Sequence, residues 1–278
     1  MIDGFSTYSG SDFLWFYALM ILGAVIAGVW LPAFLRSDGE NRHIVDRYDM
    51  AYLVGGPKRV TETALAHLLG IGALQATSDN KVTAVRHEGG ENAIERDLLR
   101  KLGDFGITEA HRSVSNHTAE IDERLVRERL LLDKSERMQM RFIAVLPYLV
   151  VLAIGWYRRS AGIAEGEPVG YLTMMMVVLG VVGLMRLFKL DPRTRGGLAA
   201  VGEGKATSSR LKSAPTGPEI GFGVALFGTA ILAGTPYSEL HAMRQAASGG
   251  DGGYTGDGGG DSGGGDGGCG GGCGGCGG

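Results

Sequence analysis

Three long apolar runs constrain this chain more than any other feature of its 278-residue sequence. They cover residues 13–35, 138–157 and 169–188. A helix rises about 1.5 Å per residue, so about 20 apolar residues cross the ~30 Å hydrocarbon core of a bilayer. The first run has no charged residue, and the third has only Arg186, near enough to its end for the side chain to reach the headgroups. We therefore predict a mainly α-helical membrane protein with about three transmembrane helices.

The second run is the least regular of the three. Its uninterrupted apolar part starts at Phe142, so it reaches spanning length only if residues 138–141 enter the interface. Pro147 lies inside it, which a membrane helix tolerates because neighbouring helices can satisfy the freed carbonyl. A buried core helix is the alternative for this run. A connector at 158–168 is predicted to join it to the third run.

The segment before the first run indicates whether that run stays in the mature protein or is removed as part of a signal peptide. Residues 1–12 contain Asp3 and Asp12 but no Lys or Arg. A secretory signal peptide has a positively charged start and a cleavage site with small residues. We therefore expect the first run to be a retained anchor.

Lys and Arg flanking the runs predict the orientation, because cytoplasmic loops are enriched in them. Arg36, Arg42 and Arg47 follow the first run. A longer set follows the third run: Lys189, Arg193, Arg195, Lys205, Arg210 and Lys212. Arg158 and Arg159 in the connector oppose this assignment but are outnumbered. We predict that residues 1–12 are extracytoplasmic and that 41–137 and the loop at 189–219 are cytoplasmic, in a multi-pass protein of the bacterial inner membrane.

Residues 41–137 have the pattern of a small soluble α+β domain. A helix at 44–54 is ended by glycines and Pro57, and a second has Val60, Ala64, Leu65, Leu68 and Leu69 on one face. Two strand-like runs, 73–77 and 81–86, flank a turn, and helices are predicted at 94–102 and from about Ser115 onward. The order of helix, helix, hairpin and helix resembles a winged-helix module.

Charge argues against a nucleic-acid partner for this domain. The formal net charge of the chain is −3, and acidic and basic residues nearly cancel within residues 36–141. DNA affinity depends on phosphate neutralisation by Lys and Arg, which a neutral face does not provide. Winged-helix-like folds also serve as protein-interaction modules. We therefore expect residues 41–137 to bind a protein partner and expect no nucleic acid; the sequence identifies no small-molecule ligand.

A fourth apolar run, residues 220–235, is shorter and contains several glycines. Pro218 and Pro236 bracket it. Its length favours a helix at the membrane interface or packed on the membrane domain, and a fourth span is the open alternative. The choice decides on which side of the membrane the rest of the chain lies.

The end of the chain, residues 249–278, is low-complexity glycine and is predicted to be disordered. It contains all three cysteines, Cys269, Cys273 and Cys276. Their spacing matches the radical-SAM cluster motif, but the barrel of that enzyme class does not follow. With a fourth ligand from elsewhere they are weak candidates for a metal site, because ordering so flexible a chain is costly. The run also resembles, in composition only, the glycine/cysteine core of thiazole-forming bacteriocin precursors.

Sequence motifs indicate no catalysis. The segment around Gly202 and Lys205 lacks the first Gly and the final Ser or Thr of a phosphate-binding loop. None of the six histidines has zinc-protease spacing, and we expect them to be solvated or to act as helix caps. No nucleophile elbow or pair of buried carboxylates is visible. We predict that the protein is not an enzyme and has no cofactor.

Two stretches resemble a known group of proteins. They are Tyr48 to Pro57 (YDMAYLVGGP) and Ala64 to Leu74 (ALAHLLGIGAL), which follow an N-terminal membrane helix. In this the chain is similar to an uncharacterised family of bacterial membrane proteins that commonly end in Gly-rich tails, often with Cys. The resemblance covers roughly residues 10–240 and implies no catalytic residue.

Together these features predict a membrane anchor or scaffold whose cytoplasmic domain docks a protein partner. The alternative is a carrier whose Cys/Gly tail is modified after translation or binds metal.

Overall fold

The computed structural model describes residues 10–40, 43–77, 79–165, 169–188, 190–213 and 215–249. The helices are α1 (Gly10–Phe34), α2 (Arg47–Gly70), α3 (Ala93–Leu99), α4 (Ile107–Arg127), α5 (Lys134–Glu165), α6 (Gly170–Phe188), α7 (Arg195–Thr207), α8 (Ile220–Phe227) and α9 (Ser238–Gly249). The strands are β1 (Leu74–Thr77) and β2 (Lys81–Ala84), and short 3₁₀ helices cover Ser209–Lys212, Gly217–Glu219 and Thr229–Leu232.

Helices α1, α5 and α6 form a three-helix bundle. Each is long and apolar enough to cross a membrane, and each packs against the other two. The buried interior contains Phe13, Tyr17, Tyr148, Leu172 and Leu179, whereas most of the outward apolar side chains are exposed. The prediction of a mainly helical chain with three helices able to span a membrane is confirmed.

Small residues let these helices approach closely, as is common in membrane bundles. A Cβ atom added at Gly28 of α1 would lie 2.4 Å from the ring of Tyr148 on α5. Hydrogen bonds add to this packing. The hydroxyl of Tyr17 donates to the carbonyl of Val151 at 3.3 Å, and Nε of Arg186 donates to the carbonyl of Gly28 at 3.1 Å.

Helix α5 is longer than the predicted span at 138–157. Its 32 residues give a length of about 48 Å, which exceeds the hydrocarbon core. The predicted connector at 158–168 is therefore helical up to Glu165. Two arginines in it are held by the bundle: Arg158 lies over the ring of Phe13, and Nε of Arg159 donates to Thr173 at 3.1 Å.

A second core lies outside the bundle, in the unit predicted as the soluble domain, and this unit starts with a kinked α2. Asp46 caps this helix by accepting from the backbone N–H of Tyr48 at 2.6 Å. Gly56 has a φ of 68°, in the left-handed region, and Pro57 follows it, so the two predicted helices are the two arms of α2. The predicted hairpin is present, with β1 antiparallel to β2. Helix α4 begins at Ile107 rather than near Ser115, and it ends at Arg127.

The apolar run at 220–235 differs most from the prediction. It forms α8 and a 3₁₀ helix that belong to the core of the soluble domain, where Val224 and Leu226 share a cluster with Leu65 and Leu68 of α2. Helix α8 packs mainly against α2, and its eight residues are too few to cross a membrane. Its glycines explain the placement: a Cβ atom added at Gly221 would lie 2.7 Å from Cβ of His67, so only glycine permits this helix contact.

The predicted loop at 189–219 likewise contains a helix, α7, capped by Thr194, whose hydroxyl accepts from the backbone N–H of Gly197 at 3.1 Å. The soluble domain is thus built from two chain segments, residues 43–133 and 190–249. Because two spans separate them, both segments lie on the same side of the three-helix bundle.

A junction of residues 35–40, 129–133 and 190–197 connects the bundle to this domain. The hydroxyl of Thr194 donates to the carbonyl of Arg129 at 2.8 Å, and the N–H of Leu132 donates to the carbonyl of Pro192 at 2.9 Å. Asp191 lies 3.6 Å from Arg36 and 2.9 Å from Arg193. These two arginines lower the pKa of Asp191, although its burial opposes them.

Candidate functional site

A pocket of about 480 Å³ opens in the soluble domain where both arms of α2 meet the loop before α3 and the start of α8. It is lined by Val45, Asp46, Arg47, His67, Glu91, Asn92, Pro218, Glu219 and Phe222. Both chain segments of the domain contribute to this lining. The pocket therefore exists only when residues 217–222 are docked on α2.

His67 lies in the last turn of α2 and is only 5% exposed. Among the residues that the structure describes, neither of its ring nitrogens has a partner at hydrogen-bonding distance and angle. Burial lowers the pKa of His67, and Arg47 lowers it further, while Glu95, Glu91 and the backbone at Pro218 oppose both. The lowered pKa favours the uncharged imidazole, in which one nitrogen offers a lone pair.

Glu95 of α3 lies beneath the pocket and is completely buried. Its Oε1 accepts a hydrogen bond of 2.5 Å from the hydroxyl of Tyr48, and its Oε2 accepts one of 2.8 Å from the backbone N–H of Glu91. Burial and the neighbouring carboxylate raise the pKa of Tyr48, so its hydroxyl stays protonated and donates. These two bonds fix the orientation of the Glu95 carboxylate.

Glu91 lies at the rim of the pocket, with 63% of its side chain exposed, and forms an ion pair with Arg47. Glu91, Glu95 and His67 each offer one ligand atom, and these three atoms lie within 4.8 Å of one another. Other acidic groups around the pocket already have partners: Asp46 caps α2, and Glu219 accepts from Thr216 and Arg210. The arrangement combines one imidazole with two carboxylates at a solvent-accessible opening.

A second buried polar cluster lies elsewhere on α2. Oε1 of Glu62 is 3.0 Å from Nε of Arg244, and its Oε2 is 3.4 Å from NH1 of Arg59. Arg59 also donates to the carbonyl of Val224 at 3.4 Å. Because these partners come from α8 and α9, the cluster holds the second segment of the domain on the first.

The sequence did not predict either cluster. We expected His67 to be solvated or to cap a helix, but it is buried. The candidate ligands Cys269, Cys273 and Cys276, like the rest of the tail after Gly249, lie outside the described residues. One signal did exist: the pattern ALAHLLG places His67 among apolar residues of a helix, and Glu91 and Glu95 lie four apart at the start of the next one. Their proximity depends on how these helices pack, which residue spacing does not show.

Comparisons address the chain as a whole. No family model, no curated protein and no solved structure matches it.

Proposed function

We propose that the chain is a non-enzymatic membrane anchor or scaffold that presents a docking domain to a protein partner at the cytoplasmic face of the bacterial inner membrane. One observation carries this proposal: the junction fixes the soluble domain to the helix bundle. Backbone hydrogen bonds join residues 35–40 to 190–197 and residues 129–133 to 190–197. These bonds hold the domain in one orientation on the helix bundle.

A fixed orientation fits a scaffold better than a simple tether. A flexible linker would hold a domain near the membrane while leaving every orientation accessible. Here the connections are short and hydrogen-bonded, and Arg195 adds an ion pair of 2.6 Å to Asp38. The same face of the domain is thus always presented to a partner.

Two features of the domain support a protein partner. The sequence pattern of residues 41–137 resembles a winged-helix module, and some modules of that kind bind proteins. Large apolar side chains are exposed at Val85, directly after β2, and at Leu102, shortly after α3, where the exposed fraction is 89%. We propose that the surface near them, rather than the membrane bundle, contacts the partner. The sequence resemblance to bacterial membrane proteins and the excess of Lys and Arg after α1 and α6 support the cytoplasmic assignment.

Single-cysteine labelling in intact cells tests the orientation. In a variant with the three tail cysteines replaced by serine, Glu120→Cys places a thiol on α4, where the native side chain is 79% exposed. An impermeant thiol reagent is expected to leave it unlabelled until the cells are permeabilised. Ala164→Cys, at the far end of α5, is the control and is expected to react in intact cells. Labelling of Glu120→Cys in intact cells would overturn the cytoplasmic assignment.

Docking is tested separately by placing a photo-reactive phenylalanine analogue at Leu102 and, as the control, at Glu123, which is exposed on α4. We expect one covalent adduct of defined mass from Leu102 in the native host, competed away when an unlabelled copy of the protein is overexpressed. Adducts of the same kind from both positions, or from neither, contradict a partner at this surface.

A further inference from the structure

The pocket contains a set of side chains that the docking function does not use. His67, Glu91 and Glu95 point ligand atoms toward one another from the end of α2 and the start of α3. We propose that these three residues bind a divalent first-row transition-metal ion of the Zn²⁺ type. The ion would join α2 to α3 at the base of the pocket.

The first support is the unsatisfied state of His67. Buried polar groups in native proteins nearly always have a partner, and the few exceptions call for an explanation such as an ion. In the described part of the chain both ring nitrogens of His67 are buried without a partner at hydrogen-bonding distance and angle, although the backbone of Pro218 lies near the ring. A metal ion bonded to Nε2 would supply the partner that this ring lacks.

The second support is distance. Nε2 of His67 and Oε1 of Glu95 are 3.9 Å apart, too far for a hydrogen bond. An ion bonds histidine nitrogen and carboxylate oxygen at about 2.0–2.2 Å, so two ligands of one ion lie roughly 3–4 Å from each other. The gap between the two side chains therefore has the width of a coordination site.

The third support is the set of groups behind the ligands. Metal-binding side chains are usually oriented by further hydrogen bonds. Glu95 receives such bonds from the Tyr48 hydroxyl and from the backbone N–H of Glu91, and each carboxylate oxygen keeps a free lone pair after accepting one bond. His67 is held by its burial between α2 and α8, where Gly221 packs against its Cβ atom.

The charges around the pocket also favour a cation. Glu91 and Glu95 bring two carboxylates together, and the neighbouring Arg47 pairs with Glu91 at the rim. A divalent cation would compensate the buried Glu95, and it would draw Glu91 away from Arg47. The pocket gives the ion a path to solvent and leaves coordination positions for water.

The ligand types select the class of ion. One imidazole with two carboxylates suits Zn²⁺, Mn²⁺ or Fe²⁺, whereas Mg²⁺ and Ca²⁺ prefer sites made only of oxygen ligands. Soft ions such as Cu⁺ prefer sulfur ligands. The chemistry of the site therefore predicts tight binding of Zn²⁺ and weak binding of Mg²⁺ and Ca²⁺.

The test uses the full-length protein in detergent with Cys269→Ser, Cys273→Ser and Cys276→Ser, because tail thiolates would themselves bind Zn²⁺. Titration calorimetry and elemental analysis after dialysis count the bound ions. We expect one Zn²⁺ per chain, and no comparable binding of Mg²⁺ or Ca²⁺. Glu91→Gln is expected to weaken binding at least tenfold, and His67→Gln to abolish it. Tyr48→Phe, which removes only an orienting bond, is expected to weaken it about 10- to 100-fold.

His43→Gln is the matched control and should leave Zn²⁺ binding unchanged. Nδ1 of His43 lies 3.3 Å from Oε1 of Glu203, and this exposed pair is separate from the three proposed ligands. Because His67→Gln removes a buried side chain, the exposed Glu91→Gln variant keeps the test independent of folding. Failure of the parent protein to bind Zn²⁺ would overturn the site. The site would also be overturned if the protein bound one Zn²⁺ and neither Glu91→Gln nor His67→Gln changed its affinity.

Discussion

At the scale of single residues, the soluble domain is held together by buried charge as well as by apolar contact. Glu62 is 5% exposed and lies between Arg59 of the same helix and Arg244 of α9. The Glu62 carboxylate compensates the buried charge of Arg59, and the partly exposed Arg244 pairs with its other oxygen. Removing one member of such a cluster leaves an uncompensated charge in the interior, which costs more than a surface pair contributes.

We expect Glu62→Ala to lower the free energy of unfolding by roughly 3–5 kcal/mol, because Arg59 stays buried without its carboxylate. Thermal unfolding of the purified protein in detergent measures the effect. Glu123→Ala is the control: Glu123 pairs with Arg127 at 4.0 Å on an exposed face of α4. Its loss should change stability by less than about 0.5 kcal/mol. Equal effects of the two substitutions would show that the Glu62 cluster is solvated.

At the scale of elements, the contact between α2 and α8 is a close helix packing that depends on glycine. Gly221 faces His67, and a Cβ atom added at Gly70 would lie 2.2 Å from the carbonyl oxygen of Gly217. Backbone atoms cannot move aside as the end of a flexible side chain can. The positions of these glycines therefore determine how closely the second segment approaches the first.

Gly221→Ala is expected to destabilise the domain and to displace His67, because its Cβ atom would lie 2.7 Å from Cβ of that residue. Gly202→Ala on α7 is the control, since a Cβ atom there meets nothing within 4 Å. Alanine at that exposed helical position should be neutral or stabilise by up to about 1 kcal/mol. Comparison of the two melting temperatures tests the packing. A Gly221→Ala protein as stable as the parent would contradict the close contact of α8 with α2.

Much of the local structure could be predicted from the sequence, and the reasons are physical. The runs at 13–35 and 169–188 are apolar on all faces, and the hairpin strands are bounded by turn residues, so local pattern alone determines these elements. The run at 220–235 is ambiguous because a helix apolar all round suits either a membrane or a protein core. Its contact with α2 bridges distant parts of the chain, and the proximity of His67 to Glu95 likewise depends on packing that no local pattern encodes.

At the scale of the whole molecule, two membrane helices are inserted into one soluble domain. The backbone of Leu131 bridges that of Arg193 in antiparallel fashion at the point where α5 leaves the domain and α6 returns. The two ends of the insertion are therefore adjacent. Removal of the bundle should leave the domain closed, whereas removal of the second segment should expose the apolar face of α2.

We expect residues 43–133 alone not to unfold cooperatively, because Val60, Leu65 and Leu69 would lose their partners on α8. Joining Asp133 to Asp191 through an Asn-Gly turn, which suits an antiparallel pair, should restore a soluble domain of 43–133 and 191–249. Thermal melting followed by circular dichroism compares the fragment 43–133 with the joined domain. Cooperative melting of 43–133 alone at the temperature of the joined domain would show that the second segment is not part of the core.

The split construction of the domain also sets an order of events during synthesis. Translation proceeds at about 5–20 residues per second, so roughly 10 to 35 s separate the appearance of Leu69 from that of Met243, its partner in the same core. Within that interval α5 and α6 must enter the membrane. If only one of the two helices crosses, the two segments lie on opposite sides of the membrane, and the apolar face of α2 stays open to proteases. Completion of the fold thereby excludes a chain in which one of these helices has crossed without the other.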